Sequence, residues 1–106
     1  MKNYLISRGF DGAHRPRLQG SKDTGDVNGV RNPKTKRQAI FQCKNQRKYD
    51  LSGWLNATVD QAKEANGAVP VLVVKRTGIG DARMGETYAV LQLSDLLELL
   101  SEAGYL

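Results

Sequence analysis

Three polar side chains in the first half of the chain have the types and the spacing that could hold a metal ion and a phosphate. Gln42 and Lys44 stand two residues apart in the apolar stretch 39–44, and Asp26 precedes them in a second short segment. Because side chains in a strand alternate between faces, Gln42 and Lys44 point one way and Cys43 points the other. If the two segments pair as neighbouring strands, a carboxylate, an amide oxygen and an ammonium meet at one sheet edge. That combination suits a hard divalent cation beside a phosphate.

The hydrophobic pattern predicts the elements that would position these residues. Apolar residues recur at helical spacing from Leu51 to Asn66, and a continuous β-branched run follows from Val69 to Lys75. The glycine-rich stretch 77–85 is predicted to be a loop. The remaining predicted elements are a helix at 2–8, strands at 13–18, 26–30, 39–44 and 86–93, and a last helix capped by Ser94. The order α-β-β-β-α-β-β-α predicts an α/β fold, in which helices cover the faces of a sheet.

The sequence around the three polar residues resembles the PD-(D/E)xK nuclease superfamily, and in particular its small Holliday-junction-resolvase-like branch from phages and bacteria. The resemblance rests on the segments 20–26, 43–45, 51–54 and 71–76. The core of that superfamily is an Asp on one strand and Glu-x-Lys, or in some branches Gln-x-Lys, on the next. The resemblance implies a restriction-endonuclease-like fold with a mixed sheet, and hydrolysis of phosphodiester bonds in DNA with Mg²⁺ or Mn²⁺ as cofactor.

The resemblance also implies a role for each candidate residue. Asp26 would be the central metal ligand, with Gln42 as the second ligand and the backbone carbonyl of Cys43 as the third. Lys44 would orient or activate the attacking water and stabilise charge on the phosphate. Ser21 matches a serine that lies beside the metal site in archaeal-type resolvases.

Two departures from the family pattern affect the expected activity. Gln42 stands where a Glu is usual, and an amide offers one neutral oxygen, so the affinity for a metal should fall. Related resolvases often carry a Glu on a longer first helix, whereas the first acid here is Asp11. Asp60 and Glu64, on the helix that follows the Gln-x-Lys strand, are candidates to replace that acid. A catalytically weak or inactive DNA-binding protein that retains the nuclease fold is therefore the alternative function.

The charge of the chain is unevenly distributed. Residues 1–48 contain twelve Lys or Arg and three Asp or Glu, whereas residues 49–106 contain four and eight. A basic half this marked indicates a polyanionic partner. Contacts to phosphate position a nucleic acid without reading its sequence, so we expect branched or bent duplex DNA as the partner. The residues expected to contact phosphate are Arg15, Arg17, Lys22, Arg31, Lys34, Lys36, Arg37, Arg47 and Lys48.

Length and cysteine content give further expectations. The 106 residues predict one domain spanning 1–106. Cys43 is the only cysteine, which fits a reducing, cytoplasmic environment in a bacterial or phage-infected cell. The apolar stretch 69–74 is too short to span a bilayer, so no membrane partner is expected.

We also expect a homodimer, because two symmetric nicks need two active sites. The leucine-rich last helix or the helix that carries Trp54 would form the interface. A protein-interaction module that uses the acidic second half is a further alternative.

Overall fold

A four-stranded mixed sheet lies at the centre of the computed structural model, which describes residues 1–17 and 25–106. The elements in chain order are α1 (Lys2–Ser7), β1 (Val27–Arg31), β2 (Gln38–Lys44), α2 (Leu51–Glu64), β3 (Val69–Val74), a 3₁₀ helix (Asp81–Glu86), β4 (Tyr88–Val90) and α3 (Leu93–Glu102). The strand order is β1-β2-β3-β4. Only the β2–β3 pair is parallel among the described strands, and the other two pairs are antiparallel. The predicted α/β class with a mixed sheet is confirmed.

The crossover β2–α2–β3 forms the rigid centre of the fold. All six residues of β3 are buried, as the continuous β-branched run predicts. The Asp50 side chain caps α2 by accepting a hydrogen bond from the Gly53 N–H at 3.1 Å. The helix ends before Gly67, whose φ of 74° a glycine adopts without strain. Helix α2 can therefore return the chain to a strand parallel to β2.

The sheet buries apolar side chains on both faces. On one face, Ile40 packs against Ala62 and Ala65, at the end of α2 and just beyond it. On the other face, Phe41 packs with Val71 in a cluster that includes Leu99 of α3. Since side chains alternate along β2, Gln42 belongs to the α2 face and Cys43 to the opposite face.

Several boundaries differ by one or two residues from the sequence-based expectation, and three differences are larger. The predicted strand at 13–18 was wrong within the described residues: it is reduced to a single bridge between His14 and Asn28, and Pro16 has no N–H to extend it. The 3₁₀ helix occupies the end of the predicted loop, so the following strand shortens to Tyr88–Val90. The last helix begins at Leu93, with Gln92 at its N-cap and no side-chain hydrogen bond there, so the predicted Ser94 cap was wrong.

Gly29 allows the chain before β1 to lie against this strand. Its φ is 88°, and a Cβ at this position would collide with the carbonyl oxygen of Gly12. The pairing of β1 with β2 is irregular between Val27 and Val30, where the strand contains this glycine. The close approach lets the segment at His14 cover the outer edge of β1. No helix in the described ranges, 1–17 and 25–106, has the length and apolar character needed to cross a membrane.

Candidate active site

Asp26 lies beside the end of β2 because β1 and β2 pair as neighbouring antiparallel strands. Its backbone N–H donates to the carbonyl oxygen of Phe41 at 2.8 Å. Its carboxylate oxygen Oδ2 accepts a hydrogen bond from the backbone N–H of Cys43, also at 2.8 Å. Two backbone contacts thus hold an exposed carboxylate against the centre of the Gln42-Cys43-Lys44 triplet. The second oxygen, Oδ1, gives the carboxylate further capacity to accept a hydrogen bond or bind a cation.

Gln42 places an amide oxygen in the interior next to β3. The residue pairs in register with Leu72, which is fully buried. Within the part of the chain that the structure describes, the Gln42 oxygen Oε1 is buried and has no hydrogen-bond partner. A buried acceptor without a donor is destabilising and calls for an explanation, which an absent cation or polar ligand can supply.

The carbonyl of Cys43 points to the same side of β2 as Asp26. Consecutive residues of a strand direct their backbone groups to opposite neighbours. The Lys44 carbonyl accepts a hydrogen bond from the Lys75 N–H at 2.9 Å, so the backbone polar groups of Lys44 point toward β3. The backbone of Cys43 therefore faces the opposite way, as its hydrogen bond to Asp26 also shows.

The available donors can be compared with the needs of Mg²⁺ or Mn²⁺. These ions take oxygen ligands, often only one or two carboxylates, and keep several waters. Asp26, the amide of Gln42 and the carbonyl of Cys43 are all oxygen donors, and the buried amide oxygen has no hydrogen-bond partner among the described residues. These donor types are the ones such an ion prefers, and together they supply one negative charge. Among the described residues no group of three or more His, Cys, Asp or Glu could hold a metal.

The two helix acids considered as substitutes, Asp60 and Glu64, are exposed on α2. Neither belongs to a metal-binding group of the described chain that includes Asp26. Ser21 and Lys22 lie outside the described residues.

The Cys43 thiol responds to the charges around this site. Burial is the main cause that raises the pKa of this thiol, and the nearby Asp26 carboxylate raises the pKa further. The Met1 amino group and the Arg15 guanidinium lower it by smaller amounts. The thiol therefore stays protonated at neutral pH, and the Arg15 guanidinium lies near enough to lower the pKa of the thiol slightly.

Most of the basic residues predicted to contact phosphate have exposed side chains and so can reach a phosphate. Arg37 differs, because it forms ion pairs with Glu98 and Asp95 of α3. Its Nε also donates to the carbonyl of Gly67 at 3.1 Å. Arg37 thus connects the β1–β2 hairpin to α3. The exposed members of the set are Arg15, Arg17, Arg31, Lys34, Lys36, Arg47 and Lys48.

Sequence reasoning missed a pocket that borders Lys44. Its lining includes Ile79, Asp81 and Met84, which come from the stretch interpreted as a glycine-rich loop and from the 3₁₀ helix. One signal was available in the sequence: Ile79 is an isolated apolar residue between Gly78 and Gly80, and it is buried. A scan of protein-family models finds none that matches this chain, and a search of curated proteins finds no match either.

Proposed function

We propose that this protein is a metal-dependent DNA endonuclease of the PD-(D/E)xK type that acts on branched DNA in the manner of a Holliday junction resolvase. The observation that supports this proposal most directly is the hydrogen bond between the Asp26 carboxylate and the Cys43 N–H. It brings the Asp that immediately precedes β1 to the Gln-x-Lys of β2. The antiparallel hairpin followed by a parallel crossover is the arrangement that the proposed fold needs.

Under this proposal, Asp26, Gln42 and the carbonyl of Cys43 hold Mg²⁺ or Mn²⁺. The bound ion supplies Lewis-acid stabilisation of charge on the scissile phosphate. Lys44 contributes a compact ammonium at the end of β2, which donates hydrogen bonds to a phosphate oxygen or to the attacking water. Arg15 and the exposed basic residues hold the DNA backbone near these groups.

A second candidate function is binding of branched DNA without cleavage. The small negative charge of the donor set favours it, since Asp26 is the one carboxylate placed at the triplet in the described chain. An amide at position 42 binds a cation more weakly than a carboxylate does. If this second function is correct, wild type has no nuclease activity, and Gln42→Glu would introduce such activity for the first time.

One cleavage experiment tests the first proposal and separates it from the second. A labelled four-way junction is incubated with wild type, Asp26→Ala, Lys44→Ala and Gln42→Glu, with and without Mn²⁺. We expect Mn²⁺-dependent nicks with wild type, at least a hundredfold loss with the first two variants, on the order expected for groups that stabilise transition-state charge, and retained or higher activity with Gln42→Glu.

Asp60→Ala is the matched control, because Asp60 is an exposed acid on α2. It should cut at the wild-type rate. Cleavage that survives in Asp26→Ala would refute the assigned site. Tight junction binding with no cleavage by wild type under any divalent cation would favour the second function.

A further inference from the structure

A pocket of about 170 Å³ opens beside Lys44, on the face of the sheet that carries Cys43. The ends of β2 and β3 border it on one side, and the segment 79–87 borders it on the other. Val73 and Ile79 are buried and form apolar walls. The half-buried Met84 adds a flexible, polarisable side chain to the lining.

Charged groups stand at the border of this apolar space. Lys75 reaches it from the end of β3, and Asp81 reaches it from the 3₁₀ helix. Lys44 borders the pocket at the end of β2, where its carbonyl accepts a hydrogen bond from the Lys75 N–H, but its side chain belongs to the opposite, α2 face of the sheet. The pocket and the candidate active site share Cys43, whose N–H holds the Asp26 carboxylate.

We propose that this pocket receives one unpaired base of the DNA substrate, adjacent to the phosphate held at the active site. The inference rests on the function proposed above. Pockets for drug-sized ligands have volumes of about 300–1,000 Å³, so the smaller space here suits one flat ring system. The apolar walls fit the faces of a base, and the Asp81 carboxylate can accept a hydrogen bond from an exocyclic amino group. The exposed Lys75 ammonium attracts a phosphate next to that base.

The substrate class follows from the cost of bringing a base to this pocket. A base in an intact duplex must be unstacked and unpaired first, at a cost of a few kcal/mol, whereas an unpaired base avoids most of that cost. The pocket therefore favours DNA with an unpaired base at a branch, bulge or flap over a perfectly paired duplex.

Gly80 offers a position in the pocket lining at which a larger side chain can be added. It lines the pocket, its backbone is extended (φ −90°, ψ 179°), and no heavy atom lies within 4 Å of a Cβ built there. Gly80→Phe therefore adds an aromatic ring beside the pocket with little strain. Ala82→Phe is the matched control, because Ala82 is exposed two residues further along and outside the pocket lining.

The test compares two duplexes that are identical except for one extra unpaired base at the centre. Binding is measured by fluorescence anisotropy without divalent cations, so that no cleavage occurs. We expect wild type and Ala82→Phe to bind the bulged duplex about tenfold more tightly than the paired one, and Gly80→Phe to lose that preference while its Kd for the paired duplex is unchanged. Asp81→Asn, which leaves the pocket open, should lose more affinity for an unpaired cytosine than for an unpaired thymine.

Equal binding of both duplexes by wild type would overturn the inference, and so would equal loss of preference in the two Phe variants. A wild-type protein that binds neither duplex nor a four-way junction would instead refute the proposed function itself. The two failures are therefore distinguishable in one set of titrations.

Discussion

Replacing Gln42, whose side-chain oxygen is buried, is predicted to stabilise the protein, whereas most substitutions inside a sheet destabilise it. Leaving a buried acceptor without a donor costs about 1–3 kcal/mol. Gln42→Met keeps the length of the side chain and removes the polar oxygen. We therefore expect the free energy of unfolding of the metal-free variant to be about 1–2 kcal/mol higher than that of wild type. For a small domain, each kcal/mol raises the Tm by about 4–8 °C.

The same strand provides the control. Gln38 is the first residue of β2 and is half-buried, but its Oε1 accepts a hydrogen bond from the Gly29 N–H at 3.3 Å. Gln38→Met should therefore lower the free energy of unfolding by about 0.5–1.5 kcal/mol. Urea unfolding followed by the fluorescence of Trp54, the only tryptophan and a buried one, measures both variants.

Metal provides the second half of the test. A ligand that binds only the folded protein stabilises it by about 2.7 kcal/mol at a hundredfold excess over its Kd. Mn²⁺ should therefore raise the Tm of wild type, and the increase should be much smaller for Gln42→Met, which should also fail to cleave DNA. A Gln42→Met variant that is less stable than wild type without metal, by as much as Gln38→Met, would show that the oxygen has a partner and would refute the reasoning.

Four further substitutions test contacts and surfaces of this structure. Asp26→Asn removes a negative charge that raises the pKa of the Cys43 thiol, so this pKa should fall. Labelling of Cys43 by iodoacetamide, measured by mass spectrometry, should then begin at a lower pH than in wild type, and an unchanged pH profile would contradict the contact. Arg37→Ala should cost about 0.5–1 kcal/mol in urea unfolding at low salt and less at high salt, because its ion pairs with α3 are partly exposed. Arg47→Ala should instead leave stability within about 0.5 kcal/mol and reduce the salt dependence of DNA binding by about 0.9 in slope; the reverse pattern would show that the two roles are exchanged. Leu97→Lys, on the exposed side of α3, should convert the proposed homodimer to a monomer in size-exclusion chromatography with light scattering, and an unchanged mass would exclude α3 as the interface.

The central elements could be predicted because their patterns have one simple reading. A helical period from Leu51 and a β-branched run from Val69 leave few alternatives, and both elements begin where the sequence indicates. The pairing of β1 with β2 was expected from two short apolar segments joined by a basic turn, but the hydrogen bond from the Cys43 N–H to Asp26 was not. Such features depend on local periodicity and on neighbouring segments, which a sequence shows directly.

Other features depend on contacts between segments that are distant in the sequence, and such contacts cannot be predicted from local patterns. Within the described part of the strand expected at 13–18, a single bridge between His14 and Asn28 forms beside the close approach of Gly12 to Gly29. Helix α3 starts at Leu93 without a side-chain cap, so the preference of helix N-termini for Ser does not locate its start. The burial of the Gln42 oxygen arises from packing across the sheet, and alternation alone cannot show it.

The parallel ladder between β2 and β3 also has a consequence for the motions of this protein. It runs in unbroken register from Ala39–Val69 to Lys44–Val74, and the Lys75 N–H adds one more bond beyond it. Backbone amides in such a buried ladder exchange with solvent only when large parts of the molecule unfold. The amide protons around Lys44 should therefore be among the slowest to exchange, and the candidate site would be fixed in shape before DNA arrives. A flexible branched DNA would then adapt to the protein, and the selection of substrate would reflect how easily each DNA deforms.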